Sequence, residues 1–159
     1  MISTEQLPLR ILFEQDETAW LEIMSRLAAE GRFAEMDHSN LSEYLSDMAK
    51  RDRQEVLSRM VLLLVHLLKW EHQPNHRSGS WQGTILEQRR ALRKLLESST
   101  LHNHALSVLA EAYTDARKQA AAETGLSRSV FPIACVWDLE DILADDEEGA
   151  DAISDNGGN

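Results

Sequence analysis

The sequence predicts an all-helical bundle, and three observations carry that prediction. Apolar residues recur at i, i+3, i+4 and i+7 wherever the 159-residue chain is long between breakers. Only three Pro and seven Gly punctuate it. No stretch alternates apolar and polar residues as a half-buried strand does. At 43% apolar content the chain can supply a core for one domain of this length.

The elements follow in order. Residues 1–12 carry Glu5 and Pro8 and read as an N-terminal arm without the basic and apolar regions of a secretory signal. Trp20, Ile23, Met24 and Leu27 mark a first helix over 14–29, with Asp16 and Glu17 at its start and Gly31 past its end. Asp37 and Ser39 are cap-type residues before an apolar stripe through Leu41, Leu45, Met48, Val56, Met60, Leu63, Leu67 and Trp70, interrupted only by Asp52. Nothing in 39–71 breaks a helix, so one continuous helix is expected there, with the polar run 50–55 as a place for a kink and Pro74 as its stop. The run 60–68 is the most apolar in the chain but far short of the ~18 residues that cross a bilayer. Ser80 reads as the N-cap of a third helix over 81–98, with Arg89, Arg90, Arg93 and Lys94 turned away from its apolar line. A fourth, over 103–124, is expected to bury Leu106, Leu109, Ala110, Tyr113, Ala116 and Ala120, and Gly125 signals its end. Asp138 caps a short last helix through Leu139, Ile142 and Leu143. The acidic stretch 145–159 has too few large apolar groups to fold and is expected to be a disordered tail, leaving 13–144 as the helical domain.

Charge is segregated along the chain. The formal net charge of −11 resolves into 10 acids and 3 bases over 1–48, 8 acids and 13 bases over 49–137, and 9 acids with no Lys or Arg over 138–159. The total argues against nucleic-acid or anionic-membrane binding. The basic middle weakens that exclusion for nucleic acid. One cysteine, Cys135, leaves no intramolecular disulfide and suits a cytoplasmic protein.

Several residues carry a resemblance. His66-Leu67-Leu68-Lys69-Trp70, Gln73-Pro74, Ser80-Trp81 and Thr84 to Arg89 resemble the signature of domain-of-unknown-function family twenty-nine, an uncharacterised bacterial family found mostly in cyanobacteria and proteobacteria. Asp16 to Trp20, Gly31-Arg32-Phe33, Asp37, Asn40-Leu41, Ala112-Tyr113, Ala116-Arg117 and Phe131-Pro132 follow the same pattern in order, so the likeness spans about 13–143. It departs at Val136, where members often carry Pro after the cysteine. The resemblance implies an all-helical fold and no particular activity.

Candidate sites are sparse. The six histidines lack metal-ligand spacing, and Glu35-Met36-Asp37-His38 is the one Glu-x-x-His, whereas a di-iron bundle needs two with two further glutamates. No metal or cofactor is expected. His66, inside the most apolar helix, is read as a core histidine bonded to a carbonyl or carboxylate. Cys135 has no catalytic signature around it and reads as a small buried apolar residue beside Phe131 and Trp137. The segment 72–80 places His76, Arg77, Ser78 and Ser80 before a helix N-terminus, where unpaired N–H groups favour an anion, with Arg89 as a further cation. The competing reading is an ordinary polar loop with a serine cap. The leading functional expectation is a non-enzymatic protein-interaction module contacting an unidentified protein through its basic face and this loop. A small enzyme or anionic-ligand protein with a pocket near 72–80 is the alternative, and a nucleic-acid-related regulator such as a toxin-neutralising partner is a third.

Overall fold

The computed structural model describes residues 7–145, and among these the chain is helical without a strand. Six α-helices follow one another: α1 (Leu9–Gln15), α2 (Glu17–Ala29), α3 (His38–His72), α4 (Gly79–Leu95), α5 (Ser99–Thr124) and α6 (Leu139–Leu143). Short 3₁₀ turns occupy Phe33–Glu35, Pro74–His76 and Arg128–Val130. No helix among the described residues is long and apolar enough to cross a membrane. The tail expected over 145–159 lies, apart from Asp145, outside the described residues. The described residues divide into two compact units, with the boundary between Arg51 and Asp52, inside α3.

The first unit is built around Leu12, Trp20, Met24 and Leu27. The helix expected over 14–29 is interrupted, because the Asp16 carboxylate accepts the Ala19 N–H at 3.1 Å and the Asp16 backbone leaves helical geometry. The preceding turns form α1, which starts after Pro8 and buries Leu12. At the far end of α2, Gly31 takes φ +70°, so that its own N–H reaches the Ala28 carbonyl and the Arg32 N–H reaches that of Leu27. Asp37 then starts α3. Its carboxylate accepts the Asn40 N–H at 3.4 Å and the indole N–H of buried Trp20 at 3.3 Å, tying the cap to the core.

The continuous helix expected over 39–71 is present as α3, about 50 Å long at helical rise. Its apolar stripe is not buried throughout. Leu45 and Met48 are exposed, and every residue from 45 to 55 is, so the polar run near Asp52 marks a bare length of helix.

The second unit packs the C-terminal half of α3, including Val56, Met60, Leu63 and Leu64, against α4, α5, Phe131 and α6. One expected cap and one expected helix start differ from the structure. Ser78, not Ser80, caps α4, its hydroxyl accepting the Trp81 N–H at 3.3 Å, because Gly79 is already helical. Ser98 likewise starts α5 four residues earlier than expected. α5 buries Ala105, Ala112, Tyr113, Ala116 and Ala120, whereas Leu106 and Ala110, expected in the core, are exposed. The stripe follows 105, 112 and 116, which turns position 106 outward. Gly125 ends α5 at φ +71°, and Asp138 with Asp141 forms a reciprocal capping box at α6.

Candidate functional site

The residues expected to gather an anion are engaged separately. The Arg77 Nε–H donates to the Trp70 carbonyl at 2.9 Å and its guanidinium lies 4.8 Å from the Trp70 ring centroid. The Ser78 hydroxyl is spent on the α4 cap. Ser80 gives its carbonyl to the Thr84 hydroxyl at 3.1 Å, and His76 closes the exposed 3₁₀ turn. Beside them Lys69 sits over Trp81 at 4.8 Å and pairs with Glu123 at 3.1 Å. A hydrogen bond from Gln119 holds the Glu123 carboxyl below its ordinary range, with Lys69 and His66 adding to the effect. Signature residues of α3 and α4 therefore clasp the loop to α5. His66, expected in the core, is half-buried, and its Nδ1 lies 2.9 Å from the Leu62 carbonyl.

Arg89 is not on a solvated cationic face. It is 4% exposed and its Nε–H donates to the Ile142 carbonyl at 2.9 Å. One turn further on, Arg93 donates to the Leu143 carbonyl and to the Asp145 carboxylate, the latter at 2.7 Å. The last carbonyls of a helix lack intrahelical partners and carry partial negative charge. Arg89 and Arg93 satisfy two of them and so dock α6 on α4. Ten residues separate Arg89 from the start of α4, about 15 Å of helix from the loop serines.

A different surface draws groups together. A cleft of about 420 Å³ lies between α5 and residues 133–137, lined by Leu106, Leu109, Tyr113, Ile133, Cys135 and Trp137 among others. Its walls are set by two clasps on the loop after α5. The Tyr113 hydroxyl donates to the Pro132 carbonyl at 2.6 Å, and Arg117 donates to the carbonyls of Phe131 at 3.1 Å and Arg128 at 2.7 Å. The cleft's remaining hydroxyl and its thiol are engaged with backbone: Thr114 donates to the Ala110 carbonyl at 3.0 Å and the Cys135 thiol to the Trp137 carbonyl at 3.2 Å. Among the described residues no Asp, Glu, Lys, Arg or His lines it. Burial pushes both the Cys135 thiol and the Tyr113 phenol above their ordinary values, so both are neutral at pH 7. Around this neutral cleft stand large exposed aliphatics, Ile133 at 85%, Val136 at 66% and Leu106 at 52%.

Sequence reasoning passed over this surface. Its signal was the apolar run Ile133-Ala134-Cys135-Val136-Trp137 after Pro132, too short and too aperiodic to be core. Among the described residues no three His, Cys, Asp or Glu are grouped to hold a metal ion.

An all-helical chain with an uncharged surface cleft fits many roles, and comparison with known proteins narrows it to a family. The chain matches the family model described as "Domain of unknown function DUF29" over residues 12–147 and belongs to that family. No curated protein and no solved structure matches it.

Proposed function

We propose that the chain is a non-catalytic helical interaction module of the bacterial cytoplasm, and that its contact surface is the cleft between α5 and residues 133–137. One observation carries the reading. The cleft's hydroxyls and thiol donate to backbone carbonyls, while the aliphatic side chains around it face outward. Catalysis needs polar groups converging on a reacting atom. Association needs apolar surface held on a firm frame, and isolated exposed patches of this kind mark interaction sites. The basic side chains of α4 and the 72–80 loop give less support, because Arg77, Arg89 and Arg93 already serve the fold.

The test compares the tagged full chain with its Ile133→Ser/Val136→Ser variant in affinity capture, with an untagged copy of the chain among the proteins offered. Loss of at least one specifically captured protein in the variant supports the reading. An identical captured set, with unchanged circular dichroism, removes it.

A further inference from the structure

The helix α4 carries four cations, Arg89, Arg90, Arg93 and Lys94, against one acid, Glu87, and the described chain ends beside them. A groove of about 530 Å³ runs along it, lined by Gly83, Leu86, Glu87, Arg90, Arg93 and Asp145. The five α4 positions recur at helical spacing and so share one face. Asp145, the last described residue, already lies in the groove, its carboxylate 2.7 Å from Arg93. The residues that follow therefore start inside it. They are Asp146-Glu147-Glu148-Gly149-Ala150, three acids and then two small uncharged residues.

From Arg93 back to Gly83 the groove follows about 15 Å of helix, which an extended chain crosses in about five residues. Laid along it, Asp146 and Glu147 reach Arg90. Gly149 and Ala150 reach Leu86, which is 49% exposed, and Gly83, where no atom stands within 4 Å of the place a Cβ would take. Acid meets base and small residue meets aliphatic in matching order, with Glu87 as the group that opposes. Exposed ion pairs are individually weak. A segment tethered at Asp145, however, faces Arg90 at an effective concentration of roughly millimolar, so weak pairs suffice.

We propose that residues 146–150 of this chain dock in the groove on α4, with Asp146 and Glu147 paired to Arg90, so that the chain supplies the anion for its own basic face. Backbone amide relaxation, measured by NMR on the full chain at low salt, tests this. Order parameters of residues 146–150 are expected above ~0.6, the level below which a backbone is flexible. They should fall below it in Arg90→Met, and in ~1 M sodium chloride, where the Debye length is about 3 Å. Glu87→Gln, which removes the opposing acid, should raise them. Both residues are exposed, so both variants keep the wild-type circular dichroism. The amides of Gly83, Leu86 and Arg90 should shift in Asp146→Asn/Glu147→Gln, while those lining the cleft on α5 stay in place. Wild-type order parameters below ~0.6 at low salt overturn the proposal. An ordered segment that neither Arg90→Met nor salt releases overturns it equally, because its contact is then not with that cation.

Discussion

Arg89 is where a single side chain changes the meaning of a charge pattern. Four cations in six residues, 89 to 94, read as a solvated face that could meet an anion. The partner of Arg89 is instead the negative end of α6, whose Ile142 carbonyl it holds at 2.9 Å in a buried setting. A hydrogen bond to a charged donor contributes about 1.5–3 kcal/mol, and its loss leaves a backbone acceptor without that donor. Arg89→Met, which keeps the apolar stem, is therefore expected to lower the unfolding free energy of the full chain by about 2 kcal/mol in urea titration. Arg90→Met, one residue along on the exposed side of α4, should change it by under about 0.5 kcal/mol. Equal effects would mean that the guanidinium of Arg89 does not hold α6.

Helix ends separate what the sequence states locally from what it does not. Gly31, Asp37, Gly125 and Asp138 all end or begin helices as read, because each acts through hydrogen bonds within a few residues of itself. The length of α3 was legible for the same reason, since no Gly or Pro falls between 38 and 72. Two serines two positions apart are harder: Ser78 and Ser80 are both good caps, and only the backbone path out of the Pro74–His76 turn selects Ser78. Leu106 and Arg89 were illegible for a different reason. The surroundings of each are set by segments about 30 and 53 residues away, the 133–137 stretch beside Leu106 and α6 over Arg89, whose approach no local pattern encodes. The candidate surface belongs to this second class, as does the clasp of Lys69 between Trp81 and Glu123. The two serines give a direct check. Ser78→Ala is expected to cost about 1 kcal/mol of stability through the lost cap, whereas Ser80→Ala, already within the first turn, should cost little. Thermal melts of the two variants that coincide would contradict the assigned cap.

At the scale of the whole molecule the net charge of −11 is a mechanical load on the fold. Acids outnumber bases by 27 to 16. The ion pairs described do not offset this, since Arg32 with Glu30 and Glu35, Arg59 with Glu55, and Arg93 with Asp145 are partly exposed and weak in water. Each also uses a base that the surplus acids then lack. Long-range repulsion among the remaining carboxylates opposes the compact state and is screened once the Debye length falls below the charge spacing, about 10 Å at 0.1 M salt. Local ion pairs respond to salt in the opposite sense, so the two contributions compete and the sign of the net response identifies the larger. The surplus of acids predicts that repulsion prevails: the melting temperature at pH 7 should rise by a few degrees as sodium chloride increases from ~0.01 to ~0.3 M, near the scale of 4–8 °C per kcal/mol for small domains. The Glu22→Gln/Asp47→Asn variant, with two exposed negative charges fewer in the acid-rich stretch 1–48, should start from a higher melting temperature and gain less from salt. A fall in melting temperature with salt would assign more to the pairs around Arg32, Arg59 and Arg93 than to the surplus charge.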